Sequence, residues 1–117
     1  SQIALSKAGA EGAKRIKEIL ANLRKDAPTQ IGGTKVVRSE DYKECVIKEA
    51  DTVTELTGFT KSDVLKYYLE DGSWIAVRPS GTEPKCKFYY CIKGSSKEDA
   101  HNKTVHFQKA MDDFIAK

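Results

Sequence analysis

The stretch VLKYYLEDGSWIAVRPS, Val64 to Ser80, restricts the possible folds of this chain more than any other part of it. Two runs rich in β-branched and aromatic residues flank Asp71-Gly72, a dipeptide that supplies the positive φ angles of a tight type I′ hairpin. Such a turn predicts antiparallel pairing with Leu69 opposite Trp74 and Tyr67 opposite Ala76, cross-strand pairs that support a register. Lys85 to Lys93 reads as a third long strand, joined to the second by a loop of turn formers, hydroxyls and cations. Strands of this kind need a cover for at least one sheet face.

The cover is legible at both ends of the chain. Ala13, Ile16, Leu20, Leu23 and Ala27 recur at three- and four-residue steps between Ala10 and Ala27, the spacing of one helix face, and Pro28 stops the run. After Gly94, Ser95 or Ser96 followed three residues later by Glu98 or Asp99 is a capping-box signature. Ala100, Thr104, Phe107, Met111 and Phe114 or Ile115 then form a second stripe. Between the helices, Gly32-Gly33 opens a short β-branched run, Thr34 to Val37, read as an edge strand, with another strand near Tyr42 to Ile47. Residues 48–63 are polar with little period and read as loop. The expected fold is α+β, an antiparallel sheet of about four strands with two amphipathic helices packed on one face.

Composition excludes several functional classes. A chain of 117 residues fits one domain and buries roughly two-thirds of its unfolded surface without a staple. A net charge of +3 falls well short of the basic balance of a dedicated nucleic-acid binder. The cations of the first 25 residues, Arg24 among them, read as the solvated face of a helix. Cys45, Cys86 and Cys91 lack metal or disulfide spacing and read as reduced thiols of a cytoplasmic protein; Cys86 and Cys91, five apart in one strand, point to opposite faces. No signal peptide or membrane-length apolar run occurs. His101 and His106, five apart, fall on different helix faces, and the adjacent carboxylates Glu40-Asp41 and Asp112-Asp113 read as solvated surface. Alternation places Phe88 and Tyr90 on one sheet face and Tyr89 on the other. The chain opens on SQIALSKAG without a Met, so it reads as a piece of something longer.

The loop after the second strand carries the chemistry. In Arg78-Pro79-Ser80-Gly81-Thr82-Glu83-Pro84-Lys85, Arg78 offers a planar fork matched to phosphate or carboxylate oxygens. Ser80 and Thr82 add hydroxyl donors, and Gly81 lets backbone N–H groups approach an anion. Two prolines stiffen the loop, and Lys85 and Lys87 share one strand face. The set suits a dianion such as phosphate. Neither a Walker spacing nor a Gly-x-Gly-x-x-Gly is present. A plain connector, with Arg78 paired to Glu83, satisfies the same residues.

That octapeptide resembles the phosphate-binding loop of the C-terminal domain of the α-D-phosphohexomutases. The wider stretch SDVLKYYLEDGSWIAVRPSGTEPKCKFYY, with GAEGAKRIKEIL, is most similar to their bacterial phosphoglucomutase/phosphomannomutase branch. The resemblance implies a TATA-binding-protein-like fold for residues 10–117, with residues 1–9 arriving as a linker or strand from the preceding domain. It implies that Arg78, Ser80, Gly81 and Thr82 grip the non-reacting phosphate of a hexose phosphate. Lys87 is carried over only as a helper, because related branches place an Arg after the loop; Glu83 and Lys85 take no firm role.

The whole enzyme so implied interconverts hexose 1-phosphate and 6-phosphate through a phosphoserine, with hexose 1,6-bisphosphate as activating intermediate. Its Mg²⁺ and three preceding domains lie outside this piece, and neither nucleic acid nor membrane is a partner. The family's Thr-Ala-Ser-His-Asn-Pro-like, Asp-Gly-Asp-Gly-Asp and Gly-Glu-Glu-Ser-Gly loops do not occur in these residues. The piece alone is therefore expected to be catalytically inert. The alternatives are a phosphoglucosamine or phosphoacetylglucosamine mutase domain, or a stand-alone anion or nucleic-acid binding module.

Overall fold

The computed structural model describes residues 2–49, 52–58, 62–79 and 85–115. In chain order the elements are β1 (Gln2–Glu11), α1 (Ala13–Lys25), β2 (Gln30–Ile31), β3 (Thr34–Asp41) and β4 (Val46–Glu49). They continue with β5 (Thr52–Glu55), β6 (Leu65–Leu69), β7 (Trp74–Pro79), β8 (Lys85–Lys93) and α2 (Lys97–Ile115). The strands form one antiparallel sheet in the order β1-β8-β7-β6-β3-β4-β5, with β2 paired to the start of β3. The class is α+β as expected.

Among the described residues the sheet has eight strands rather than about four. β5 lacks the hydrophobic alternation that announces a half-buried strand. It is exposed at all four positions, and β5 and the end of β4 fall within the segment expected to be loop. β3 is not an edge strand, since it lies between β6 and β4. Residues 42–45 form a turn, so the strand expected near Tyr42 begins only at Val46.

The central hairpin forms with its register displaced by one residue. Tyr68 faces Trp74, Tyr67 faces Ile75 and Lys66 faces Ala76. Gly72 donates its N–H to Leu69 O at 3.0 Å, and Leu69 N–H reaches Ser73 O at 2.8 Å. Gly72 alone carries positive φ in this turn, at 89°. Glu70, Asp71 and Gly72 thus make a three-residue connection with a left-handed glycine, where the expected two-residue I′ turn needs positive φ at both centres. The slip decides which side chains meet. Leu65, Tyr67 and Leu69 join Ile75 and Val77 on one face, leaving Lys66, Tyr68, Trp74, Ala76 and Arg78 on the other.

Both helices cover the first of these faces. Ile16, Ile19, Leu20 and Leu23 of α1 and Phe107 and Met111 of α2 close over Tyr67, Ile75, Val77, Phe88, Tyr90 and Ile92 in one core. Ile75, Val77 and Ile92 have no exposed surface, a burial that stabilises by about 1.5–3 kcal/mol per side chain. α1 ends before Ala27, which is exposed. The α2 cap is as read: Ser96 Oγ accepts the Asp99 N–H at 3.1 Å, and Asp99 Oδ2 accepts the Ser95 N–H at 2.8 Å. The opposite face of the sheet has no helix among the described residues.

A candidate anion site at the mouth of the β7–β8 loop

Strand alternation carries Arg78 onto the open face. Val77 and Phe88 are register partners buried under the helices, so the next pair, Arg78 and Lys87, projects to the other side. Both are exposed, as is Lys85 two residues along the same strand. Directly opposed residues sit roughly 5 Å apart at Cβ, and like charges there destabilise a sheet. Neither Arg78 nor Lys87 takes part in the ion pairs of the described residues. Folding alone does not favour two cations in this register, whereas an anion held between them turns repulsion into attraction. Ser80, Gly81, Thr82 and Glu83 lie outside the described residues, so the structure places Arg78, Lys85 and Lys87 only.

The surroundings are fixed by polar contacts that sequence reasoning missed. β1 ends beside this mouth, with Glu11 opposite Lys85 and Ala8 opposite Lys87. α1 starts immediately afterwards without an acidic residue in its first turn. At its far end Arg24, expected in water, is half-buried and grips Asp41 with Nε to Oδ2 at 2.9 Å and Nη2 to Oδ1 at 3.2 Å. Its Nη1 lies 2.7 Å from Asp63 Oδ1, which ties the lead into β6 to the end of β3. Burial pushes the Asp41 carboxyl up, but the Arg24 guanidinium and the Glu44 and Lys43 N–H groups outweigh it and hold it below its ordinary 3.8.

Glu40 departs furthest from expectation, being buried rather than solvated. The bulge at Val37 turns Arg38 and Glu40 to the open face. There Glu40 Oε2 accepts from Arg38 Nη2 at 2.6 Å, and Oε1 accepts from the Tyr42 hydroxyl at 2.9 Å and the Tyr68 hydroxyl at 3.3 Å. Burial opposes ionisation, yet these donors keep the carboxyl below its ordinary 4.5. Burial and the Glu40 charge push Tyr42 up to about 12. With both oxygens engaged, this carboxylate is built to hold β3 to β6 rather than to exchange protons. The only sequence signal was the period-two run Arg38, Glu40, Tyr42.

His101 and His106 are both exposed, and His106 Nε2 lies 2.7 Å from Gly32 O. The three cysteines are free, with Cys86 facing the core and Cys91 the opposite side of the sheet. Burial, with the Asp63 charge, pushes the Cys86 thiol up to about 11. Among the described residues no cluster of three His, Cys, Asp or Glu could hold a metal, and no helix is long and apolar enough to cross a membrane.

Fold and site define an α+β domain that presents opposed cations at a loop mouth. The family model for the phosphoglucomutase/phosphomannomutase C-terminal domain matches residues 7–102. Phosphoglucomutases of Staphylococcus aureus strains N315, Mu50 and MSSA476 are each 38% identical over 97 residues, covering 81% of this chain. The chain belongs to the phosphoglucomutase/phosphomannomutase C-terminal domain family. Its match spans 17% of the length of those relatives.

Proposed function

We propose that this chain is the substrate-phosphate-binding end of a phosphohexomutase that interconverts hexose 1-phosphate and hexose 6-phosphate. The observation that carries the reading is the opposed pair Arg78 and Lys87 at the mouth of the Arg-Pro-Ser-Gly-Thr loop. On this reading Arg78 forks onto two phosphate oxygens, and the Ser80 and Thr82 hydroxyls and the Gly81 N–H complete the clamp. Lys87 adds charge from the facing strand.

A clamp of this kind recognises the dianion rather than a particular carbon. It therefore serves a bisphosphorylated intermediate in both orientations between two phosphoryl transfers. The domain's contribution to catalysis is positioning and charge stabilisation. The phosphoserine, Mg²⁺, sugar-hydroxyl contacts and the turnover of hexose 1,6-bisphosphate belong to the preceding domains, in a cytoplasmic enzyme. Residues 10–117 form the phosphate-binding domain, and 1–9 bring a strand from the preceding one. The TATA-binding-protein-like fold is part of the same reading.

Arg78→Ala in the full-length enzyme removes a charge-assisted contact of about 1.5–3 kcal/mol. Catalytic efficiency is expected to fall about ten- to a hundredfold. An unchanged efficiency rules the clamp out.

A further inference from the structure

Under the C-terminal end of α1, between β3 and β6, lies a partly open cavity of about 30 Å³ whose lining includes Arg24, Ser39, Asp41, Lys48, Leu65 and Tyr67. Tyr67 is 2% exposed, and its hydroxyl is buried without a hydrogen-bond partner among the described residues. A buried hydroxyl left unpaired costs about 1–3 kcal/mol, so its partner must be sought in the space it faces. The Asp41 charge acts on Tyr67 from close by: burial first, and then Asp41, push the hydroxyl above its ordinary 10.0.

Asp41 has unequal oxygens. Oδ1 already accepts from Arg24 Nη2 and from the Lys43 and Glu44 N–H groups, at 3.2, 3.0 and 3.1 Å. Among the hydrogen bonds of the described residues, Oδ2 accepts from Arg24 Nε alone, at 2.9 Å. A carboxylate oxygen takes about two such bonds, so Oδ2 keeps one lone-pair position. The cavity therefore joins a donor in need of an acceptor to an acceptor with capacity. By volume it has room for one or two waters, and a buried water needs two to four polar partners.

We propose that this cavity is a structural water site, in which one water accepts from the Tyr67 hydroxyl and donates to Asp41 Oδ2. Ser39, directly across the sheet from Tyr67, is its next partner. The water then extends the Arg24–Asp41–Asp63 cluster to the middle of β6. Tyr67 also faces Ile75 of β7, the strand that carries Arg78, so the bridge braces the framework beneath the loop mouth.

A high-resolution crystal structure of the 117-residue chain tests this directly. The expected map has a water within about 3 Å of both Tyr67 Oη and Asp41 Oδ2. A cavity without density, or a Tyr67 hydroxyl bonded directly to a protein group, overturns the proposal. Tyr67→Phe supplies a second reading by deleting one end of the bridge, and the unfolding equilibrium constant is expected to rise a few-fold to about tenfold. A variant as stable as the parent, or more so, contradicts the water site. Should Tyr67→Phe fail to fold, the parent map decides alone.

Discussion

Arg24→Ala offers the sharpest test of how the end of the sheet near the loop is held. The Arg24 side chain is 17% exposed, that of Asp41 15% and that of Asp63 38%. Breaking a fully buried pair costs about 3–5 kcal/mol, whereas an exposed pair contributes about 0–1. Asp41 is mostly covered but keeps the Lys43 and Glu44 N–H groups, and Asp63 can regain water. The expected loss is therefore about 2–3 kcal/mol. Urea unfolding at neutral pH should show it as a lower midpoint at an unchanged slope.

The pH dependence has a definite sign. Because Asp41 is held below its ordinary 3.8, its stabilising contribution is complete above that value. It is lost as pH falls through the lower folded-state value. The gap between parent and variant should thus persist from neutral pH to about 4 and close on further acidification. Arg24→Lys, which keeps charge but not the fork, should fall between the two. A loss under about 0.5 kcal/mol, as for an ordinary surface site, or a gap that stays constant through acid pH, refutes the reasoning.

Two further outcomes follow from single residues. Gly72→Ala places a Cβ on a backbone with φ of 89° and 3.0 Å from Lys93 Cδ. It should cost about 1–2 kcal/mol in urea unfolding, and an unchanged midpoint would mean the turn differs from the one described. Of the three thiols, Cys45 is half-buried whereas Cys86 and Cys91 are buried. Iodoacetamide should therefore modify Cys45 first by mass spectrometry; early labelling of Cys86, whose thiol sits near 11, would contradict its place in the core.

What could be read from the chain follows the strength of each local signal. β8 runs from Lys85 to Lys93 as expected, because burial alternates from Lys85 to Tyr90 and the run is long and rich in aromatics. The α2 stripe Ala100, Thr104, Phe107 and Met111 is buried as read. The hairpin register was missed by one residue because Asp-Gly serves both two- and three-residue connections. Hydrogen bonding at Leu69 and Ser73, rather than dipeptide preference, selects between them. β5 left little trace since a strand without a buried face has no period. Arg24 looked like a surface charge because its partners Asp41 and Asp63 lie far along the chain, and Glu40 because Tyr68, which joins the nearby Arg38 and Tyr42 on it, does too. Of the site, the face shared by Lys85 and Lys87 was legible from strand alternation, while the opposition of Arg78 and Lys87 required the register of β7 on β8.

The central claim is that the mouth of the β7–β8 loop takes a sugar phosphate through its dianion. We would titrate the isotope-labelled chain with glucose 6-phosphate and follow backbone amide shifts, with glucose as control. The claim predicts saturable shifts at Arg78, Ser80 to Thr82 and Lys87 with the phosphate ester alone, at about millimolar concentrations. No response at those residues, or the same response to glucose, would contradict it.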